Sequence, residues 1–159
     1  MAVINAYKLS EALKNTVNGA QTLVIAGDFE TVATDSIGSK YRICKVGADW
    51  IPVQIKIAND AIAGATDMDL GLYDTLEKGG AVKDADCFMD GTDISAGVAI
   101  GSDSDGLKTL GIDEIGNQCY VHAGDSDASE QMYDLVLTSN AAITAAGTIG
   151  IRAIFAKAA

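Results

Sequence analysis

The chain has 159 residues, 48% of them hydrophobic, and its 22 acidic and 11 basic side chains give a net charge of -11 at pH 7. This length fits one domain, which buries roughly 70% of the surface of its unfolded chain. The negative charge would repel the phosphates of nucleic acids and of anionic lipids, so we expect neither nucleic acid nor a membrane as a partner.

The first predicted element is a short helix over Leu9 to Val17. Ser10 can cap its start, and Asn18 followed by Gly19 ends it. The stripe that supports the helix consists of Leu9, Ala12, Leu13, Thr16 and Val17. We therefore divide the chain into an N-terminal helical arm over residues 1–19 and a β-sandwich domain over residues 20–159.

After the arm, hydrophobic residues recur with a period of two, which is typical of β-strands. Leu23, Ile25 and Phe29 lie on one face of an extended segment. The clearest alternation places Ile51, Val53, Ile55 and Ile57 on a core face, and Trp50, Pro52, Gln54 and Lys56 on the opposite face. The sequence thus predicts strands with one buried side and one wet side.

Pro52 and Trp50 mark the start of that strand as a candidate contact surface. Proline cannot donate a ladder hydrogen bond, so Pro52 predicts an edge or a bulge. Tryptophan is enriched in subunit interfaces, so we expect Trp50 to pack at a subunit contact.

About eight strands in all, separated by turns rich in Gly and Asp, favour an all-β fold, a jelly-roll-like antiparallel β-sandwich. No helices alternate with the strands in the way that a parallel sheet would require. The remaining predicted strands are Tyr41 to Val46, Met68 to Tyr73, Ile94 to Ile100, Cys119 to His122, Tyr133 to Thr138 and Thr148 to Phe155.

Motifs of catalysis are missing from the sequence, which has neither a nucleophile elbow nor a phosphate-binding loop. Its one histidine, His122, follows Cys119 by three residues, and positions three apart in a strand point to opposite faces. We therefore predict no catalytic residue, no cofactor and no metal site, and interpret His122 as a surface or interface residue beside a buried thiol.

Three cysteines, Cys44, Cys87 and Cys119, lack the short repeated spacing of a disulfide framework or a zinc ribbon. Buried reduced thiols are the favoured interpretation, and a crosslink between subunits is the alternative. The N-terminus shows no basic region followed by an apolar stretch, and no run approaches the ~18 apolar residues of a membrane span. We therefore expect a product made in the cytoplasm.

Paired aspartates leave calcium binding open as an alternative. Asp103 and Asp105 match two positions of a calcium loop, but Ile112 stands where the bidentate carboxylate is required. The favoured interpretation is that these aspartates lie in solvated turns and bind their own backbone.

Four segments resemble small structural proteins of tailed bacteriophage virions, most closely the head decoration, or cement, proteins. They are residues 47–74 (GADWIPVQIKIANDAIAGATDMDLGLYD), 80–91 (GAVKDADCFMDG), 133–138 (YDLVLT) and 146–155 (AGTIGIRAIF). The resemblance covers roughly the last two thirds of the chain. It implies a β-sandwich, often a homotrimer, on the outside of the capsid, where it clamps neighbouring major capsid subunits.

This resemblance predicts a non-enzymatic virion protein, made in the host cytoplasm, whose partners are the major capsid protein and other copies of itself. We expect contacts through the arm and the strand near Trp50, with Leu9, Leu13, Trp50 and Pro52 as interface residues. The alternatives are a tail, neck or fibre-associated virion protein, and a calcium- or carbohydrate-binding β-module.

Overall fold

A computed structural model describes residues 3–4, 13–17, 20–99, 101, 104–129 and 132–157. Its strands are β1 (Val3–Ile4), β2 (Leu13–Val17), β3 (Ala20–Thr31), β4 (Ser39–Gly47), β5 (Ile51–Asn59), β6 (Met68–Asp74), β7 (Val82–Thr92), β8 (Ser104–Asp105), β9 (Met132–Ser139) and β10 (Gly147–Lys157). A 3-10 turn covers Leu76–Lys78, and a four-residue helix, α1, covers Cys119–His122. None of the helices in these ranges has the length and apolar character needed to cross a membrane.

The strands form two five-stranded sheets. Sheet A has the order β1-β4-β9-β6-β7, and sheet B has the order β2-β3-β10-β5-β8. Neighbouring strands are antiparallel except for β1 and β4, which are parallel. The prediction of an all-β fold is therefore confirmed.

A single core lies between the inward faces of the two sheets. Phe29 of sheet B stacks on Tyr41 of sheet A, with their ring centroids 5.3 Å apart. Sheet A contributes Ile43, Leu70, Leu72, Leu135 and Leu137, and sheet B contributes Leu23, Ile25, Ile55, Ile57, Ile149, Ile151 and Phe155. Burying these side chains is the main favourable term in folding, at about 25 cal/mol per Å² of apolar surface.

Six of the predicted strand segments correspond to strands of the structure: those that became β3, β4, β5, β6, β9 and β10. Leu23, Ile25 and Phe29 are buried on β3, as the alternation predicts. On β10, Ile149, Ile151, Ala153 and Phe155 face the core, also as predicted.

The predicted face of Val53 is wrong, and a β-bulge is the reason. The pairing of β5 with β10 runs from Gln54 opposite Ile154 to Pro52 opposite Phe155, so Val53 has no partner. One unpaired residue in a strand shifts the alternation of buried and exposed side chains by one position. Val53 is therefore 56% exposed, whereas Pro52 is buried beside it. The irregularity that Pro52 predicts is confirmed as this bulge.

Two other predicted strands are wrong. Ile94 to Ile100 forms no strand over residues 94–99, where Val98 makes only an isolated bridge to Asn59. Cys119 to His122 is helix α1 instead of a strand. A four-residue apolar run cannot distinguish a strand from a turn of helix by its period.

The described residues of the predicted arm are edge strands. The helix predicted over Leu9 to Val17 is wrong for Leu13–Val17, which is β2 and pairs with β3 in sheet B. β1 pairs with β4 in sheet A. Leu9 lies outside the described residues. The division between an arm over 1–19 and a domain over 20–159 stays a prediction.

Strand β7, which the sequence analysis did not predict, is bulged where it pairs with β6. Leu70 pairs with Met89 and Leu72 with Asp84, so two steps along β6 correspond to five along β7. Gly71 lies between the paired residues of β6, and a Cβ atom there would come within 2.1 Å of the Asp84 carbonyl oxygen. Glycine therefore allows the close approach of the two backbones.

Arg42 forms a buried ion pair with Asp134 on the outer face of sheet A. Its guanidinium also donates to the carbonyl oxygens of Asp74 and Gly80, each at 3.1 Å. These contacts join β4 and β9 to the end of β6 and to the loop before β7. Such a pair is costly to break because the remaining charge stays buried without its partner.

Replacing Arg42 with methionine should lower the free energy of unfolding by about 3–5 kcal/mol, since the substitution breaks the buried ion pair with Asp134. Urea unfolding followed by circular dichroism would measure the change. The matched control is Lys45→Met, which breaks the exposed pair with Glu77 and should have little effect. Equal effects of the two substitutions would contradict the prediction.

The bulge at Val53 predicts that a substitution at Val53 has a small effect on stability and that a substitution at Ile55 has a large one. Val53→Ser should change the free energy of unfolding by no more than about 0.5 kcal/mol, because the side chain is exposed. Ile55→Ala should cost about 2–5 kcal/mol, because Ile55 is fully buried. Urea unfolding of both variants tests this, and a large loss for Val53→Ser would show that the valine packs in the core.

Candidate interaction surfaces

The predicted interface residues Trp50 and Pro52 lie in the chain's own interior. Trp50 is 9% exposed and belongs to the core cluster, and Pro52 is buried. Packing within the chain accounts for both side chains. Leu13 lies on edge strand β2, and Leu9 falls outside the described residues. The contact of these four residues with a partner stays a prediction.

The long connection between β8 and β9 lies at one end of the two sheets. β9 begins at Met132, which pairs with Gly47 at the end of β4. Within the connection, the amides of Cys119 and Tyr120 donate to the carbonyl oxygens of Trp50 and Ala48, at 2.8 and 2.9 Å. The connection is thus fixed to the turn between β4 and β5.

Two large apolar side chains of this connection stand in solvent. Ile112 is 89% exposed and Ile115 is 74% exposed. Both lie in a turn-rich stretch in which the Glu114 carboxylate accepts a hydrogen bond from the Gly111 amide at 2.7 Å. Exposed apolar side chains of this size are candidates for burial against another protein. The sequence analysis predicted no element over residues 107–118 and did not identify either isoleucine as a contact residue.

The same connection covers the outer edge of β7. Thr109 donates through its hydroxyl to the Cys87 carbonyl oxygen at 2.6 Å, and its amide donates to the Phe88 carbonyl oxygen at 3.3 Å. An edge strand that is covered in this way is protected from pairing with other chains. The connection also lines a solvent-open cavity beside the bulged part of β7.

This acidic cavity has a volume of about 360 Å³. Its polar lining comes from the β7 bulge and from the β8–β9 connection, which are distant in sequence. The side chains that define it are Asp84, Asp86, Asp90, Glu114, Val121 and His122. Four acidic residues thus line one space, and none of its described lining residues is a lysine or an arginine.

Among the carboxyl groups of the acidic cavity, Asp84 is the one whose charged form is most clearly disfavoured. Burial, together with the side chain of Asp86, raises the pKa of Asp84 above its ordinary value. A hydrogen bond from the Asp86 amide to the Asp84 carboxylate, at 3.3 Å, acts in the opposite direction. Two carboxylates so close disfavour each other's charged form. A cation in the cavity would relieve that repulsion.

His122 is the buried polar group of the acidic cavity, so the predicted surface position is wrong. It is 8% exposed, its ring meets Phe88 edge-on at a centroid distance of 5.4 Å, and its Nε2 atom has no hydrogen-bond partner. Burial lowers the pKa of His122, although Glu114 and a hydrogen bond with the Asn117 backbone oppose the shift. The imidazole is therefore neutral near pH 7.

The thiols have the environments of packed residues. Cys44 and Cys119 are buried and Cys87 is half-buried, and all three are free. The burial that the sequence predicts is confirmed for Cys44 and Cys119. Burial raises the pKa of each thiol, that of Cys119 to about 12, so the reactive thiolate is scarce at neutral pH.

The aspartates adopt the turn role that the sequence analysis favoured. Asp93, Asp105 and Asp127 each accept a hydrogen bond from the amide two residues later, at 2.8 to 3.1 Å. These are Asx-turns. Asp103 is outside the described residues. Within residues 104–129 and the other described ranges, no three acidic, histidine or cysteine side chains are placed to hold a metal ion.

A second cavity, of about 220 Å³, lies on sheet B. Its floor consists of Gly27, Ala58 and Gly150, whose small size opens the space, and Asp28 and Lys56 stand at its rim. It has charges of both signs, so it does not concentrate one charge as the acidic cavity does.

Comparison with solved structures finds a similar fold over the whole chain. A chain of the structure titled "Cyanophage Pam1 capsid asymmetric unit" is similar with a TM-score of 0.53 and 14% sequence identity. The similarity covers 99% of this chain and 100% of that chain. No protein-family model matches the sequence, and no curated protein matches it. At this identity the likeness shows a shared fold.

Substituting Asp84 with asparagine should stabilise the protein at neutral pH. A raised pKa means that the folded state binds the proton more tightly than the unfolded state, so the wild type loses stability as pH rises from the ordinary pKa to the raised one. The asparagine variant lacks this loss. Urea midpoints from about pH 3 to about pH 7 should show its advantage growing with pH.

Asp28→Asn is the control, because it removes the same charge from the opposite sheet. The same pH-dependent gain in stability in both variants would assign the effect to net charge. No gain in stability for Asp84→Asn would contradict the inference that burial and Asp86 disfavour the charged form of Asp84.

Proposed function

We propose that this chain is a structural protein of a bacteriophage virion, a head decoration (cement) protein. In this role it binds the outside of the shell and stabilises contacts between major capsid subunits. The observation that carries the proposal is the full-length fold similarity to a chain of a phage capsid asymmetric unit. Fold alone does not fix function, so the argument also rests on surface features and on the sequence resemblance.

We also propose that the fold is a jelly roll. Eight strands, β3 to β10, are divided between the sheets as β3-β10-β5-β8 and β4-β9-β6-β7. In a jelly roll the first, eighth, third and sixth strands form one sheet, and the second, seventh, fourth and fifth form the other. The same order here supports the assignment, with β1 and β2 as additional edge strands. Jelly rolls are common in viral capsid proteins.

The surface supports a binding role. Ile112 and Ile115 project from the connection between β8 and β9, at the end of the sheets where β4 turns into β5. Burial of two isoleucines can contribute several kcal/mol to association. Repeated contacts around a symmetric shell add avidity to each weak contact. The net charge of -11 keeps free subunits soluble and apart.

Self-association into a homotrimer is part of the proposal, as the resemblance to decoration proteins implies. Such an assembly would place several copies of the same surface on neighbouring capsid subunits. Sedimentation equilibrium of the full chain would give the oligomeric state.

The test uses particles purified from cells that make the protein in its native context. We expect hundreds of copies per particle on the outer surface, visible by cryo-electron microscopy as β-density at regular positions. Particles made without the protein should release DNA at a lower temperature, and adding the purified chain should restore the wild-type release temperature.

A pair of variants tests whether the exposed isoleucines make the contact. Ile112→Asp combined with Ile115→Asp should reduce binding to bare particles at least about tenfold, which corresponds to about 1.4 kcal/mol. The control is Ile37→Asp, which changes an exposed isoleucine of the β3–β4 loop. That loop lies at the opposite end of the sheets, where Ser39 pairs with Ser139.

Three outcomes would contradict the proposal in different ways. A dozen or fewer copies per particle would indicate a tail, neck or fibre position. Absence of the protein from particles would overturn the virion role. Equal binding of the two isoleucine variants would leave the role standing but move the contact surface.

A further inference from the structure

We propose that copies of this chain bind one another through a groove on the outer face of sheet B that has Gly150 at its floor. The groove supplies a surface for the self-association that belongs to the proposed function, and the inference rests on that part of it. The contact is tested on the isolated chain, without virion particles.

The groove crosses the three central strands of sheet B. The cavity of about 220 Å³ on this sheet is continuous with another of about 360 Å³, because Asp28, Ala58 and Gly150 line both. These residues belong to β3, β5 and β10, which are neighbours in the sheet. Val98 lines the groove on the β5 side, where it bridges to Asn59. The groove is therefore an open depression with a floor of backbone and small side chains.

Gly150 has no role inside the chain that requires glycine. Its neighbours Ile149 and Ile151 face the core, so Gly150 faces outward, in unbroken pairing with Asp28 and Ala58. An added Cβ atom would lie 3.6 Å from the Ala58 carbonyl oxygen, an ordinary contact, and φ is outside the left-handed region. Glycine weakens the interior of a strand, and away from bulges it often marks a place that another molecule approaches closely.

Charges of opposite sign lie on the two sides of Gly150. Lys56 pairs directly with Arg152, two positions beyond Gly150 on β10, which places two like charges side by side on the outer face. Like charges directly opposite each other in a sheet repel, and an approaching anion relieves that repulsion. The acidic residues are level with Gly150 or lie before it along β10; they are Asp28, Glu30 and Asp60. The groove thus has a basic side and an acidic side.

A second copy of the chain fits this arrangement better than a ligand of one charge. The basic side of one groove can face the acidic side of another, so that Lys56 of one copy lies against Asp28 of the next. Because the net charge of -11 drives copies apart, a contact between them needs cations where they meet. Lys56 and Arg152 supply those cations on this face.

The same face adds apolar surface and allows a closed assembly. Val24 pairs with Ile154 beyond the basic side, and both side chains are half-buried. A contact between two different sides of one surface is heterologous, so it can close into a ring such as a trimer.

Sedimentation equilibrium of the full chain, at concentrations up to about 100 μM, measures dissociation constants of that order or tighter. We expect the wild type to associate, and to do so more weakly at high salt, because salt screens the charges. Lys56→Glu should weaken association at least about tenfold. The control, Lys78→Glu, makes the same change of net charge in the exposed turn before β7 and should associate like the wild type.

Gly150→Thr separates a contact role from a structural one. Threonine favours strands, and its Cβ meets no close neighbour, so at concentrations where both proteins are monomeric its urea midpoint should equal or exceed that of the wild type. The same side chain occupies the floor of the groove, so association should weaken at least about tenfold. A lower urea midpoint with unchanged association would give this glycine a structural role and overturn the inference.

A charge exchange tests which sides of the groove meet. Asp28→Lys should weaken association as Lys56→Glu does, and the two substitutions combined should recover most of the lost affinity, because the pair is then reversed. No recovery would show that the basic and acidic sides do not face each other. A monomeric wild type, or equal losses in Lys56→Glu and Lys78→Glu, would also overturn the inference.

Binding to bare particles separates this contact from the rest of the proposed function. If the chain associates as predicted but does not bind particles, the virion role is wrong and the groove contact stands. If the wild type is monomeric yet covers the particles, the virion role stands and the groove contact is wrong.

Discussion

The guanidinium of Arg42 joins three strands of sheet A, β4, β9 and β6, to the loop that precedes β7. It pairs with Asp134 on β9 and donates to carbonyl oxygens at the end of β6 and just before β7. A buried ion pair is weak evidence for stability in itself, because removing both charges from water costs about as much as their attraction returns. We expect it to favour one arrangement of strands, because a change of register would separate the two buried charges.

Sheet A forms a regular frame, and the β8–β9 connection carries the exposed side chains that we propose make the contacts. The sheet is ordered by apolar packing and by Arg42, and it carries the bulge of β7 on its edge. The connection covers that edge through Thr109 and carries Ile112 and Ile115 into solvent. A cavity arises where the cover does not fill the bulge. The proposed contact residues Ile112 and Ile115 thus lie on an irregular segment held by a regular frame, which is a common arrangement in proteins.

Period-two alternation was enough to predict β3 and β10, because each has a core face and a wet face and no interruption. It failed at Val53, where one unpaired residue reverses the faces, because a bulge depends on the partner strand and leaves no mark in the alternation itself. β7 was missed because Asp84 and Asp86 resemble turn residues. The acidic cavity could not be predicted from sequence, since it joins residues of β7 to His122, more than thirty positions away.

The pairing of β3 with β10 has a consequence for how the chain folds. Thr31 meets Gly147 across 116 positions, and β10 occupies the place between β3 and β5 in sheet B. Contacts of such long range make folding slow, because most of the chain must be ordered before they form. Until β10 inserts, β3 and β5 present unpaired edges to the solution. Newly made chains are therefore most vulnerable to aggregation at this stage, and rapid synthesis at high concentration is the condition under which they would be lost.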